Sequence, residues 1–239
     1  MCSGRIDPAF VLRAFSKGMD GVFVGGCRLN ECNYSTHGNF HALNMALLVK
    51  RIMEHIGLNP ARLSIAFMSG AESTLFVETV NSFVQQVKEL GPLGRSEGVD
   101  QETVKSRLAE ITKLVPYIKR VNKEKLASRL TNPEQYDELF TKDEIERLFS
   151  EVVSYYIDPD KCQACMICAR RCPEEAIIGG KNLIHVVDQD KCIKCDTCFE
   201  VCPPRFAAVK KISGAQAPAP LAAEKRTVRR LAQLVNSKK

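Results

Sequence analysis

Two short runs, "CQACMICARRCP" from Cys162 and "CIKCDTCFEVCP" from Cys192, repeat the spacing CxxCxxCxxxCP. Nothing else in the chain narrows the possible folds as far. Short loops of this spacing bring soft, anionic sulfur to one face of an iron-sulfur cube, and in paired runs the fourth cysteine of each serves the other cluster. The spacing therefore predicts two [4Fe-4S] clusters. Cys162, Cys165, Cys168 and Cys202 are the ligands expected for one, and Cys172, Cys192, Cys195 and Cys198 for the other. In each run three thiolates are expected on a tight loop and the fourth at the start of a helix. Pro173 or Pro203 would turn the chain at that helix entry, and "KNLIHVVDQDKC" would supply a hairpin strand between the halves. Structural zinc sites use pairs of CxxC rather than runs of four, which argues against zinc. Lys161 and Lys191 precede the runs, and Ala164, Ile167, Ile193 and Phe199 read as apolar lining. Clusters whose irons are all held by protein sulfur have no open coordination site for a substrate, so the module reads as a wire rather than a catalyst.

These runs hold eight of the eleven cysteines, in a spacing that disulfide scaffolds do not use. Reduced thiols, together with the lack of a signal peptide or an apolar run near the roughly 20 residues of a membrane helix, lead to a cytoplasmic expectation with no membrane insertion. The net charge of +6 is concentrated at the end, where Lys225, Arg226, Arg229, Arg230, Lys238 and Lys239 outnumber Glu224. The rest is nearly neutral, which speaks against a general nucleic-acid surface.

The first ninety residues alternate strand and helix patterns. "GVFVGG" from Gly21 and "RLSIAFMSG" from Arg62 read as short buried strands bounded by glycine. Asp7 as N-cap, Pro8 in the first turn and Gly18 as stop frame one helix. Leu43, Leu47, Leu48 and Ile52 mark a second, ending at Gly57, and "AESTLFVETVNSFVQQVKELG" a third. Such alternation predicts a parallel sheet covered by helices. "MCSG" reads as the end of a strand whose beginning is missing, so a first βα unit is expected to be absent.

Residues 94–156 read as a helical connector, a structural spacer with a Leu108, Ile111, Leu114, Val115 stripe. Thr141 and Glu144 form a capping box there, and "TKDEIERLFSEVVSYY" is expected as one helix. A ferredoxin domain over 157–212 follows, then a Pro/Ala linker and basic tail over 213–239, with Val228, Leu231 and Leu234 on an amphipathic segment.

Cys27 and Cys32 follow the first complete strand, and Cys2 ends the stub. In a parallel sheet all three would emerge at the carboxyl edge, where open α/β folds bind cofactors. By spacing alone they are as readily buried free cysteines as ligands. His37 and His41 lie near Cys32 and read as polar loop and helix residues, and His55 and His185 complete the histidines.

"CSGRIDP", "FSKGMDGV", the Cys27 and Cys32 pair and "YSTHGN" together resemble the delta subunit family of methyl-viologen-reducing (F420-non-reducing) hydrogenase, over residues 1–93. The resemblance implies a flavodoxin-like domain that binds a [2Fe-2S] cluster through cysteines at its strand ends, with Cys2, Cys27 and Cys32 matching. It also implies an electron-transfer role, relaying single electrons between hydrogenase or other dehydrogenase subunits and a flavin-containing heterodisulfide-reductase-like subunit. Members of this family begin with a further strand and a loop carrying two more cysteines, which this chain lacks. Some carry selenocysteine in that loop, so we hypothesise that a UGA codon read as a stop misassigned the start at Met1. Mass spectrometry of the native protein tests this, and an N-terminus at Met1 would refute it. Supply of the missing unit by a neighbouring subunit is the alternative. The competing functional reading is a redox enzyme acting on a thiol, disulfide or thioester at the N-terminal domain.

Overall fold

In a computed structural model, residues 2–34, 38–130, 134–213 and 217–228 are described. The chain divides into two units, Met1–Leu148 and Phe149–Lys239.

In the first unit, Asp7 starts helix α1 (Pro8–Ser16), its carboxylate accepting the Ala9 N–H at 2.9 Å. Gly18, at φ 87°, takes the left-handed turn that ends it. Strand β1 (Val22–Gly26) pairs in parallel with β2 (Leu63–Phe67), with Val22 opposite Leu63. Parallel neighbours need a crossover, and helix α2 (Asn39–His55) supplies it. Its Met45, Leu48, Val49, Ile52 and Met53 are fully buried, which makes it the central helix of the unit.

Helix α3 (Ser73–Leu90) buries only Phe83, which lies against Phe23 with ring centroids 5.8 Å apart. Gly21 sits under this contact, and any Cβ there would run into Val87 and Phe83.

Helix α4 (Gln101–Val121) is capped by Asp100 and packs along α1, burying Leu108, Ile111 and Val115. The segment expected as a spacer thus contributes core: α5 (Lys123–Ala127) packs on α2, and Asn44 donates to the carbonyls of Lys125, Leu126 and Ser128 at 2.8–3.2 Å. Short α6 (Glu134–Asp137) precedes α7 (Lys142–Ser150). The Thr141 and Glu144 capping box is present, with the Thr141 N–H donating to Glu144 and the Glu144 N–H to Thr141 Oγ1.

Cys2 is extended at φ −91° and ψ 143°, Ser3–Arg5 form a 3-10 turn, and Cys2 Sγ accepts the Gly4 N–H at 3.4 Å. One local expectation is corrected. The expected helix through Tyr156 stops at Ser150, and Val153–Ile157 form β3. Valine and tyrosine favour strands, and pairing with β6 (Val209–Ser213) buries Tyr155 and Ile157.

The second unit places β3 antiparallel to β6, and β4 (Ile177–Gly180) antiparallel to β5 (Leu183–Val187). Helices α8 (Ile167–Arg171) and α9 (Thr197–Glu200) pack together. The third cysteine of each run lies within a helix, and the fourth comes after its last residue, which corrects the expected helix entry. Proline follows the fourth cysteine because it cannot continue a helix, and it holds its predecessor extended: Cys172 has φ −70° and ψ 119°. The start of the basic tail joins this unit, since Thr227 bridges to Leu183 and the Ile184 N–H donates to the Arg226 carbonyl. Val228 is buried there, while Leu231 and Leu234 lie outside the described residues.

Candidate metal centres

Each cysteine run makes the same unusual backbone path. Ala164 and Met166 flank Cys165, and Lys194 and Asp196 flank Cys195, all four at φ between 51° and 75°. Left-handed backbone costs a non-glycine residue about 1–2 kcal/mol, and such strain clusters where a loop is shaped for a ligand. Here it curls each loop around its sulfurs.

The charge environments are those of sulfurs gathered near one another. Burial pushes the Cys168 thiol up to about 11, and Cys162, Cys165 and Cys202 push it the same way. Burial likewise raises Cys198 to about 12, with Cys192, Cys195, Cys168 and Cys172 adding to it. Cys172, Cys192, Cys195 and Cys198 line one apolar cavity with Tyr155, Ile177 and Val187. Buried thiols such as Cys168 and Cys198, with other sulfurs beside them, resist ionisation unless a cation joins them, so the donor set fits a polynuclear iron core. Among the described residues no three His, Cys, Asp or Glu side chains close around a single ion. A cube asks for something different, because its four irons each take one sulfur at a separate corner.

Aligning the runs at their first cysteines places Tyr155 and His185 at equivalent positions, seven residues upstream. Each strand leans on the other run's partners: Tyr155 lines the cavity of the second group, whereas His185 Nδ1 lies 3.7 Å from Cys162 Sγ. The His185 ring is buried, which lowers its pKa, and its Nε2 lies 3.1 Å from Met166 Sδ. Sequence patterns alone give His185 no role; the repeat register is the signal that could have found it. The second loop also differs in charge. Lys194 and Asp196 replace Ala164 and Met166, with Lys194 Nζ donating to Gln189 at 2.8 Å and Lys211 paired to Asp196 at 2.7 Å.

In the first unit, Cys2, Cys27 and Cys32 line one open cavity of about 850 Å³ at the carboxyl ends of β1 and β2. Cys2 Sγ and Cys32 Sγ are 3.5 Å apart. Asn39, opening α2, donates to the carbonyls of Cys27 and Arg28 and fixes the loop. Backbone N–H groups of Tyr34 and Asn39 favour the Cys32 thiolate and lower its pKa, while desolvation and the neighbouring sulfurs raise that of Cys27. Gly38 allows the close approach, since a Cβ there would meet Cys32 Sγ at 2.5 Å. His37 lies outside the described residues, and His41 and His55 are not among the residues lining this cavity.

Paired runs of four cysteines on a small α+β unit define an iron-sulfur protein of the ferredoxin-like class, and residues 149–206 match the 4Fe-4S dicluster domain family. Residues 1–91 match the family described as methyl-viologen-reducing hydrogenase, delta subunit. An iron-sulfur subunit of the F420-non-reducing hydrogenase vhu from Methanopyrus kandleri is 39% identical over 38% of this chain and 69% of that protein. Its counterpart in Methanococcus maripaludis is 44% identical over 38% of this chain and 67% of its own length. A subunit of the ferredoxin/F(420)H(2)-dependent CoB-CoM heterodisulfide reductase from Methanosarcina acetivorans is 47% identical over 39% of this chain. The chain covers only 12% of that larger relative. The chain belongs to the methyl-viologen-reducing hydrogenase delta subunit family.

Proposed function

We propose that the protein is an iron-sulfur electron-transfer subunit, relaying single electrons between hydrogenase or other dehydrogenase subunits and a flavin-containing heterodisulfide-reductase-like subunit in the cytoplasm. The observation that carries this is the pair of sulfur groups in the second unit, joined in one chain to a domain of the delta subunit family. Relatives of that domain are named as hydrogenase subunits and as heterodisulfide reductase subunits, which supports the two kinds of partner.

Cys162, Cys165, Cys168 and Cys202 hold one [4Fe-4S] cluster in this reading, and Cys172, Cys192, Cys195 and Cys198 hold the other. When bound, such a cluster supplies one-electron oxidation and reduction. The chain's own residues hold the sulfurs in place and keep water out: the buried Cys168 and Cys198 anchor the two groups, and Tyr155, Ile177 and Val187 wall the second. For residues 1–93 we propose a flavodoxin-like domain, supported by the parallel strands, the α2 crossover and the thiols at the strand ends. Cys2, Cys27 and Cys32 would be three ligands of a [2Fe-2S] cluster. An all-cysteine site takes four, so this cluster would need a fourth ligand besides these three.

Low-temperature EPR of the reduced protein, with iron quantification, tests the reading. Two interacting four-iron signals and about eight irons per chain are expected; a reduced protein with no such signals would refute it. A second reading, redox chemistry on a thiol, disulfide or thioester, draws on the open cavity and the ionisable Cys32. Turnover of such substrates by the isolated protein with artificial electron donors would favour it.

A further inference from the structure

We propose that His185 is a positioning residue that donates its Nδ1–H to Cys162 Sγ and so raises the reduction potential of the cluster Cys162 holds, separating the two clusters in potential. The proposal rests on the reading of Cys162 as a ligand. A ligating cysteine sulfur is a thiolate and can only accept, so the ring proton facing it must lie on Nδ1. The Nδ1 to Sγ distance of 3.7 Å suits a bond to the larger sulfur atom, and the ring is 1% exposed, so no bulk water competes for the donor. Met166 Sδ, also an acceptor, lies 3.1 Å from Nε2 and competes for the ring proton, and ligation of iron by Cys162, which makes its sulfur the anionic and stronger acceptor, favours Nδ1.

The backbone is shaped for this ring. Gly179, on the paired strand β4, lies against the imidazole so closely that a Cβ would overlap Cδ2, with Cγ at 2.7 Å and Nε2 at 3.0 Å. The equivalent position before the first run is Tyr155, so the two halves of a repeated module differ at this upstream position.

The direction follows from charge. One-electron reduction adds a negative charge that spreads onto the ligand sulfurs, and a hydrogen bond to an acceptor strengthens as that acceptor becomes more negative. Donation from His185 therefore favours the reduced form.

EPR-monitored redox titration of the full chain with its clusters assembled, using a one-electron chemical reductant, tests this in three variants. In His185→Leu the midpoint of one transition should fall by about 59 mV, a tenfold change in equilibrium constant for one electron, with the other unmoved. His185→Gln, which can still donate an N–H, should recover most of the loss. Gly179→Ala should lower the same transition by displacing the ring. Unmoved midpoints in His185→Leu, or two that move together, would overturn the proposal. If that variant does not hold its clusters, Gly179→Ala decides: a lowered single transition supports the proposal and an unchanged one overturns it. A wild-type chain without four-iron signals would overturn both this inference and the functional reading, whereas intact signals with unmoved midpoints would overturn this inference alone.

Discussion

Arg62 has no exposed surface, yet its guanidinium is fully engaged: Nε donates to Glu97 at 2.7 Å, Nη1 to the carbonyls of Asp20 and Gly91, and Nη2 to Pro92 and Ser96. Removing one partner of a buried pair typically costs about 3–5 kcal/mol, so Arg62→Leu should lose stability of that order in urea unfolding. Desolvation would raise the Glu97 pKa, but hydrogen bonds from Arg62, the Asn59 N–H and Ser96 outweigh it and hold the carboxyl at about 2. A carboxyl depressed on folding contributes stability that is present above its ordinary value of 4.5 and lost as pH falls toward about 2. The difference in urea midpoint between wild type and Glu97→Gln should therefore shrink across that window. None of this was legible in the sequence, where Arg62 reads as a charged residue at a strand entry. Its acceptors lie 28 to 42 residues away, and local pattern does not report such distances.

Among the elements, α2 does two jobs. Its buried face fills the first core, and its N-terminus presents the Asn39 N–H to Cys32, which favours the thiolate. In Gly38→Ala the new methyl would crowd Cys32 Sγ and the Tyr34 carbonyl, so the sulfur should move off the helix end. Alkylation of Cys32 at neutral pH should slow several-fold, read by mass spectrometry. Helix α2 was readable because its apolar spacing is long and regular. The split of the expected α7 into helix and strand was not, because Val153–Ile157 turn to strand only when β6, more than fifty residues later, comes beside them.

For the whole molecule, each unit has its own buried apolar set, but only the second is built around sulfur. Stripping iron with a chelator should leave its buried thiols without a compensating cation and collapse its thermal transition. Calorimetry should show the transition of the first unit still in place; loss of both together would refute this assignment of stability.

The sequence by itself determined the iron-sulfur chemistry of the second unit, because ligand geometry is written in short spacings that hold whatever the surroundings. It also marked the strand and helix alternation of the first ninety residues, since apolar period is a local property. Only the tertiary structure decided that residues 94–130 and 134–148 contribute to the first core, that Arg62 is buried, and that His185 faces Cys162. Those outcomes depend on residues distant in the chain arriving at one place, and such meetings are fixed by packing rather than by any local run of residues.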